Sequence, residues 1–317
     1  MTLIGTSDLE VFPLALGGNT FGWTSDERES HAVLDAFVEG GGNFIDTADM
    51  YSAWVPGNSG GESETIIGSW IARRGAHDDL VIGTKVSAHP QFMGLSAANV
   101  VAAADASLAR LGVDAIDLYW AHYDDESTSL EETVAAFEGL RTAGKIRHIA
   151  LSNYSATRVA EWIGIAQAHG FALPVALQPH YNLVAREPYE SEFAALVEAN
   201  GLGVVPYFSL AAGFLTGKYR TREDIAGKAR EGQVGGYFTD EGLAVVSTLD
   251  DISTARGVEL ATTALAWLQA QPNVVAPIAS ARTVEQLPAL LAAASLSLTP
   301  DELAQLDAVS ARVPAAV

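Results

Sequence analysis

Short runs of apolar, often β-branched residues recur along the chain, separated by stretches whose apolar positions repeat every three or four residues. The runs are Leu14–Gly18, Asn43–Thr47, Leu80–Val86, Ile116–Ala121, Ile146–Leu151, Val175–Gln178, Gly203–Tyr207 and Val274–Ile278, eight in all. Their near-continuous apolar character predicts strands buried on both faces, as in parallel sheets covered by helices. Between them, Val33, Leu34, Phe37 and Val38 define one helical stripe. Val101, Ala104, Leu108 and Leu111 define a second, and Leu130, Val134 and Phe137 a third. Eight such alternations predict an α/β fold, the (β/α)8 TIM barrel.

Two segments break the rhythm, Ser52–Gly61 after the second strand and Arg220–Asp240 after the seventh, and long loops at such places carry function. Leu3–Pro13 is expected to form an N-terminal β-hairpin closing the barrel bottom. An extra C-terminal helix is expected over about Asp301–Val309, with Thr299 as cap and Pro300 in its first position. Gly40-Gly41-Gly42 fits a helix end. Residues 1–317 read as one domain, a length routine for a single barrel.

Composition narrows the functional classes. Apolar residues make up 49% of the chain, enough for a large core. The 39 acidic and 18 basic side chains give a net charge of −21, which repels phosphate backbones and anionic lipid, so no nucleic-acid or membrane partner is expected. The absence of cysteine excludes disulfides, thiolate nucleophiles and Cys-ligated zinc. Met1–Leu16 lacks a basic patch followed by a long apolar stretch, and no apolar run reaches the roughly 18 residues of a spanning helix; a soluble cytoplasmic protein is expected. The seven histidines include no His-x-His pair at a strand end, so no metal site is expected, and Asp124, Asp125 and Glu126 read as a solvated loop or helix start. No G-x-G-x-x-G follows a strand, which disfavours a doubly wound dinucleotide fold.

Barrel active sites lie at the C-terminal ends of the strands. Asp46 closes the second predicted strand, Tyr51 follows in its loop, Lys85 ends the third and His122 the fourth. Ser152 and Asn153 follow the fifth, Gln178 ends the sixth, Tyr207 the seventh, and Ser280 follows the eighth. Lys85 is one of four lysines and follows apolar residues, so a buried ammonium there needs a carboxylate, for which Asp46 is placed. A charged lysine beside Tyr51 would stabilise phenolate and bring the phenol down toward the working range. Tyr51 would then donate a proton to a carbonyl oxygen that His122 orients, with hydride arriving from nicotinamide stacked on Tyr207. Trp23, Trp54 and Tyr123 lie in loops at the same face, where they would either wall a substrate pocket or pack one loop onto another.

These residues carry a resemblance. Phe44-Ile45-Asp46-Thr47-Ala48-Asp49-Met50-Tyr51 resembles the signature around the catalytic aspartate and tyrosine of the aldo-keto reductase family. Gly61-Glu62-Ser63-Glu64, before a helix expected to end near Trp70, resembles the motif that follows. Gly83-Thr84-Lys85 resembles the lysine strand, Asp117–His122 the histidine strand, Leu151-Ser152-Asn153-Tyr154 the nicotinamide-binding segment, and Gln178 with Asn182 the Gln-x-x-x-Asn stretch. Tyr207 through Leu215-Thr216-Gly217-Lys218 resembles the stacking tyrosine and pyrophosphate loop.

The likeness spans the chain and implies Tyr51 as acid/base, Asp46 and Lys85 as its tuning pair and His122 as substrate orienter. It implies cofactor contacts from Ser152, Asn153, Gln178, Tyr207, Ser209, Leu210, Gly213 and Lys218. It further implies a 2′-phosphate grip from Ser280, Arg282 and Gln286, helped by a helix N-terminus near Thr283. The family's Glu-Asn pair that holds adenine falls on Ala289 and Leu290, which cannot make those bonds. The implied cofactor is NADP(H), with NAD(H) as the other choice, and the implied partner is a small carbonyl or alcohol: aldehyde, ketone or sugar. Two alternatives stand beside a carbonyl reductase: an NAD-dependent dehydrogenase of a sugar or other cyclic alcohol, and a nicotinamide-binding regulatory subunit without turnover. Taken singly, Asp46 would serve as a loop carboxylate, His122 as a core histidine and Lys85 as a snorkelling lysine; their joint placement at strand ends favours chemistry.

Overall fold

The computed structural model describes residues 1–227 and 231–314. Eight parallel strands follow one another around one sheet: β1 (Ala15–Gly17), β2 (Phe44–Asp46), β3 (Val81–Val86), β4 (Ile116–Ala121), β5 (Ile146–Ser152), β6 (Ala176–Gln178), β7 (Gly203–Val204) and β8 (Ile278–Ala279). β8 pairs with β1 at one edge, and the other edge returns to it, because Val275 N–H donates to Val204 O and Ile278 N–H to Pro206 O, both at 2.9 Å. The sheet is thus the expected TIM barrel. β7 and β8 are shorter than their apolar runs, since Pro206 and Pro277 supply no N–H to a ladder, though both carbonyls still accept. The run 274–278 is therefore split: its first half bonds to β7 and its last residue to β1.

Alternation along the strands divides the core in two. Ala15, Phe44, Val81, Leu118, Trp120, Ala150, Ala176, Val205 and Val275 fill the barrel, while Leu16, Ile45, Ile82, Tyr119, Ile149, Leu151 and Leu177 face the helices. The hairpin Thr2–Leu3/Glu10–Val11 adds Ile4, Leu9 and Val11 to the inner cluster, so it plugs the bottom as expected.

Outside lie α1 (Glu27–Glu39), α2 (Glu62–Arg74), α3 (Ala97–Leu111), α4 (Leu130–Thr142), α5 (Ala156–His169) and α6 (Ala194–Asn200). The end of α1 falls at Gly40. α2 runs a turn past Trp70 because Arg73 and Arg74 find Asp35 and Asp79 as partners and Gly75 caps it in the left-handed region. On α3 the stripe is rotated from the expected one: Val100, Ala103, Ala104, Ser107 and Leu111 are buried, and Val101 is exposed. α3 meets α2 closely at its C-terminal end, where a Cβ added at Gly68 of α2 would lie 2.0 Å from Arg110 O, a contact that helps fix the rotation of α3. The C-terminal helix (Pro300–Ser310) starts in a capping box of Thr299 and Glu302.

Candidate active site

The alternation that fills the barrel also builds its mouth. Asp46, Lys85, His122, Ser152, Gln178 and Tyr207 each come two residues after a strand position that faces the barrel axis: Phe44, Gly83, Trp120, Ala150, Ala176 and Val205. A side chain at Gly83 would crowd them, since a Cβ there would lie 3.0 Å from Trp120 Nε1 and 3.6 Å from Asp46 Oδ1. Tyr51 arrives from the loop after β2. That loop is held by Ser52, whose hydroxyl donates to Phe21 O at 2.7 Å, and by Asn58, whose amide donates to Gly22 O and Ser52 O.

Lys85 is fully buried and its three protons are committed: to Asp46 Oδ2 at 2.5 Å, Thr47 O at 2.7 Å and the Tyr51 hydroxyl oxygen at 3.3 Å. Gln178 Nε2 donates to the other Asp46 oxygen at 3.1 Å. Burial raises the Asp46 carboxyl and lowers the Lys85 ammonium, and the charge of each pulls the other back. Burial pushes the Tyr51 hydroxyl well above its ordinary value, and the charge of Asp46 adds to this. The direction is opposite to the expected lowering by lysine, because dehydration of the phenolate outweighs one shared ammonium. Tyr51 therefore rests as the protonated acid. The His122 ring stands 6.3 Å from that of Tyr51 and is held neutral, first by burial and then by Lys85. Its Nδ1 is buried without a hydrogen-bond partner among the described residues, which leaves the other ring nitrogen as the one a ligand in the cavity can meet.

All these groups except Lys85 line one cavity of about 1290 Å³. Lys85 stands behind Tyr51, its Nζ 5.0 Å from the ring centre. Ser152, Asn153 and Tyr207 form a chain across the mouth: Tyr207 donates to Asn153 Oδ1 at 3.0 Å, Asn153 Nδ2 to His122 O at 2.8 Å, and Ser152 Oγ to Gln178 O at 3.0 Å. His180 stacks against Tyr207 at 5.4 Å. Ser209, Leu210, Gly213 and Lys218 line the cavity from the loop after β7, and Ser280, Arg282 and Gln286 from that after β8. Ser280 Oγ is already engaged with Asn19 Oδ1 at 2.7 Å, and Gln286 Oε1 accepts from Arg282 N–H at 2.8 Å. Near Thr283 the expected helix N-terminus is a three-residue 3-10 turn leading into the five residues Leu287–Leu291, too short for a strong macrodipole. Trp23, Trp54 and Tyr123 also line the cavity; Trp54 packs edge-on against both Trp23 and Tyr51.

The acidic stretch after His122 is structural: Asp124 pairs with Arg158 at 2.7 Å, and Asp125 takes hydrogen bonds from Leu95 N–H and Thr128. Among the described residues no group of three or more His, Cys, Asp or Glu could hold a metal, and no helix is long and apolar enough to cross a membrane.

The model of the aldo/keto reductase family matches residues 13–311. The chain belongs to this family. It is 32% identical to Protein tas of Escherichia coli, with 96% of this chain and 95% of that one covered. It is 33% identical to a probable voltage-gated potassium channel subunit beta of Arabidopsis thaliana, over 90% of this chain and 88% of that one. It is 30% identical to norsolorinic acid reductase B of Aspergillus parasiticus, over 94% and 80%. Membership makes the protein an oxidoreductase of the aldo-keto reductase type.

Several cavity residues went unread in the sequence. Asn19, just past β1, carries the same strand-end signal as the others. Phe208, Ala211 and Ala212 hold the β7 loop in the left-handed region (φ 52°, 48° and 55°) without being glycine, and nothing in their residue types announces it. Outside the barrel, Asp49, Glu64 and Arg110 form an ionisable group whose two acids lie within the quoted motifs but were assigned no role: Arg110 and Thr84 donate to Glu64 at 2.6 and 2.5 Å, while the buried Asp49 carboxylate has no side-chain hydrogen-bond partner among the described residues.

Proposed function

We propose that the protein is an NADP(H)-dependent oxidoreductase transferring hydride between nicotinamide and a small aldehyde, ketone, sugar or alcohol, with Tyr51 as general acid/base. The observation that carries the reading is the Asp46–Lys85–Tyr51 series at 2.5 and 3.3 Å, opening beside His122 into a cavity that Tyr207 also lines. The whole chain acts as one cytoplasmic domain in this reading.

The residues present fit a nicotinamide dinucleotide. Gly213 holds φ 100°, a conformation L side chains rarely adopt, and Lys218 Nζ lies against it; bare backbone and an ammonium share that wall, a cradle suited to phosphate. Ser152, Asn153 and Gln178 would hold the carboxamide, Tyr207 the ring, and Ser209, Leu210, Gly213 and Lys218 the pyrophosphate. Ser280, Arg282 and Gln286 would meet the 2′-phosphate. Bound nicotinamide supplies or accepts the hydride at the carbonyl carbon. Neutral His122 orients the carbonyl oxygen, and Tyr51 passes its proton to that oxygen in reduction or takes one in alcohol oxidation. Lys85 offsets the charge left on Tyr51, Asp46 keeps Lys85 charged, and Trp23, Trp54 and Tyr123 wall off the substrate.

A second reading, a nicotinamide-binding regulatory subunit, draws support from the relatives bearing a potassium-channel beta-subunit name. The complete proton-transfer series favours turnover. Titration with NADPH and then NADH, followed by tryptophan quenching, and then a panel of carbonyl substrates, tests both. Tighter NADPH binding with measurable turnover supports the proposal; NADH preference moves it to an NAD-dependent dehydrogenase; binding without turnover on any carbonyl or alcohol favours the regulatory subunit.

A further inference from the structure

Asp46 is 1% exposed, and its two oxygens are treated differently. Oδ2 takes Lys85, whose remaining protons are already used by Thr47 O and Tyr51. Oδ1 depends on Gln178, the one hydrogen-bond donor it has among the described residues. A buried ion pair holds its charges only where the remaining lone pairs are satisfied. Without that donor the pair moves toward its neutral form by passing one proton from Lys85 Nζ to Asp46, which leaves an amine facing Tyr51.

A carboxylate only accepts, so the Gln178 nitrogen must face Asp46 and its oxygen must point elsewhere. Gln178 lines the cavity, and its backbone carbonyl is pinned by Ser152. We propose that Gln178 is a positioning residue for the Asp46–Lys85 pair, holding it charged with its amide nitrogen while offering its amide oxygen to a ligand amide in the cavity. A ligand amide bound there polarises the side chain and strengthens its donation to Asp46, so that occupancy of the cavity is coupled to the charge on Lys85 and through it to the acidity of Tyr51. The ligand half of this inference rests on the nicotinamide reading; the ion-pair half does not. The ionisable groups facing the pair and Tyr51 are Asp49 from the β2 loop, His122 and Tyr123 from the end of β4, and Tyr207 after β7.

With four lysines in the chain, 15N-lysine labelling resolves the Lys85 side chain by NMR, and Lys85→Met assigns it. Without cofactor, Gln178→Met is expected to lower the pH at which Lys85 loses its proton by about one unit, a tenfold change in its acid constant. Gln178→Glu, which sets a second carboxyl against Asp46, provides a folded alternative and moves the Tyr51 limb of the pH–rate profile to higher pH, as Gln178→Met does. NADPH added to wild type raises the Lys85 midpoint, and this response is lost in Gln178→Met. A Lys85 titration unchanged in both Gln178 variants overturns the proposal. Failure of NADPH to bind wild type while the Gln178 variants still shift Lys85 would instead remove the nicotinamide reading and leave the positioning role standing.

Discussion

Asp49 lies two residues before Tyr51, fully buried, with no side-chain hydrogen-bond partner for its carboxylate among the described residues and Glu64 close enough to repel its charge. Burial first, and Glu64 second, raise its carboxyl well above the ordinary value. The folded protein therefore holds a proton that the unfolded chain releases near pH 4, and stability falls as pH rises from there toward the folded value, by at most about 1.4 kcal/mol per pH unit. Asn carries no such proton. Asp49→Asn should accordingly raise the melting temperature more at pH 7.5 than at pH 5, measured by thermal melts across that range; equal destabilisation at both would contradict the assignment. His122 acts with the opposite sign. Its folded value is depressed, so stability drops as pH falls below about 6.5, where the unfolded imidazole gains its proton.

At the scale of elements, the contact of α2 with α3 is the tightest constraint outside the barrel. Gly68→Ala sets a Cβ against Arg110 O, a backbone atom that cannot swing aside, and is expected to lower stability by about 2 to 3 kcal/mol in urea unfolding. A loss below a few tenths would mean that α3 shifts freely. Strands were legible because their apolar residues alternate between two buried faces, and that alternation alone carries Asp46, Lys85, His122, Ser152, Gln178 and Tyr207 into the mouth. On α3 it is Val100 and not Val101 that is buried, a choice two adjacent valines do not show in sequence because it depends on how the helix packs against its neighbours. β8 was placed too early because Pro277 divides its run between two neighbours. The phenol of Tyr51 was expected to fall rather than rise because its environment depends on burial that no motif spells out. The Asp49–Glu64–Arg110 group was invisible because it joins the β2 loop to two helices far apart in sequence.

For the whole molecule, charge sets the approach of the cofactor. The chain carries −21, and among the described residues the cavity wall sets Asp224, Glu259 and Glu285 beside the cations Lys218 and Arg282. Long-range repulsion of a polyanionic dinucleotide is screened by salt, so the association rate of NADPH should increase severalfold between about 10 and 150 mM ionic strength, read by stopped-flow quenching. A falling rate would mean that the local cations dominate the field. One hydroxyl, that of Tyr51, carries the proposed proton transfer, and the most direct test is steady-state turnover of Tyr51→Phe beside its NADPH dissociation constant. Removing the proton donor while keeping the ring should cut kcat by at least about 100-fold and leave cofactor affinity within about twofold. Turnover at the wild-type rate would contradict this assignment, because a group other than the Tyr51 hydroxyl would then have to carry the proton.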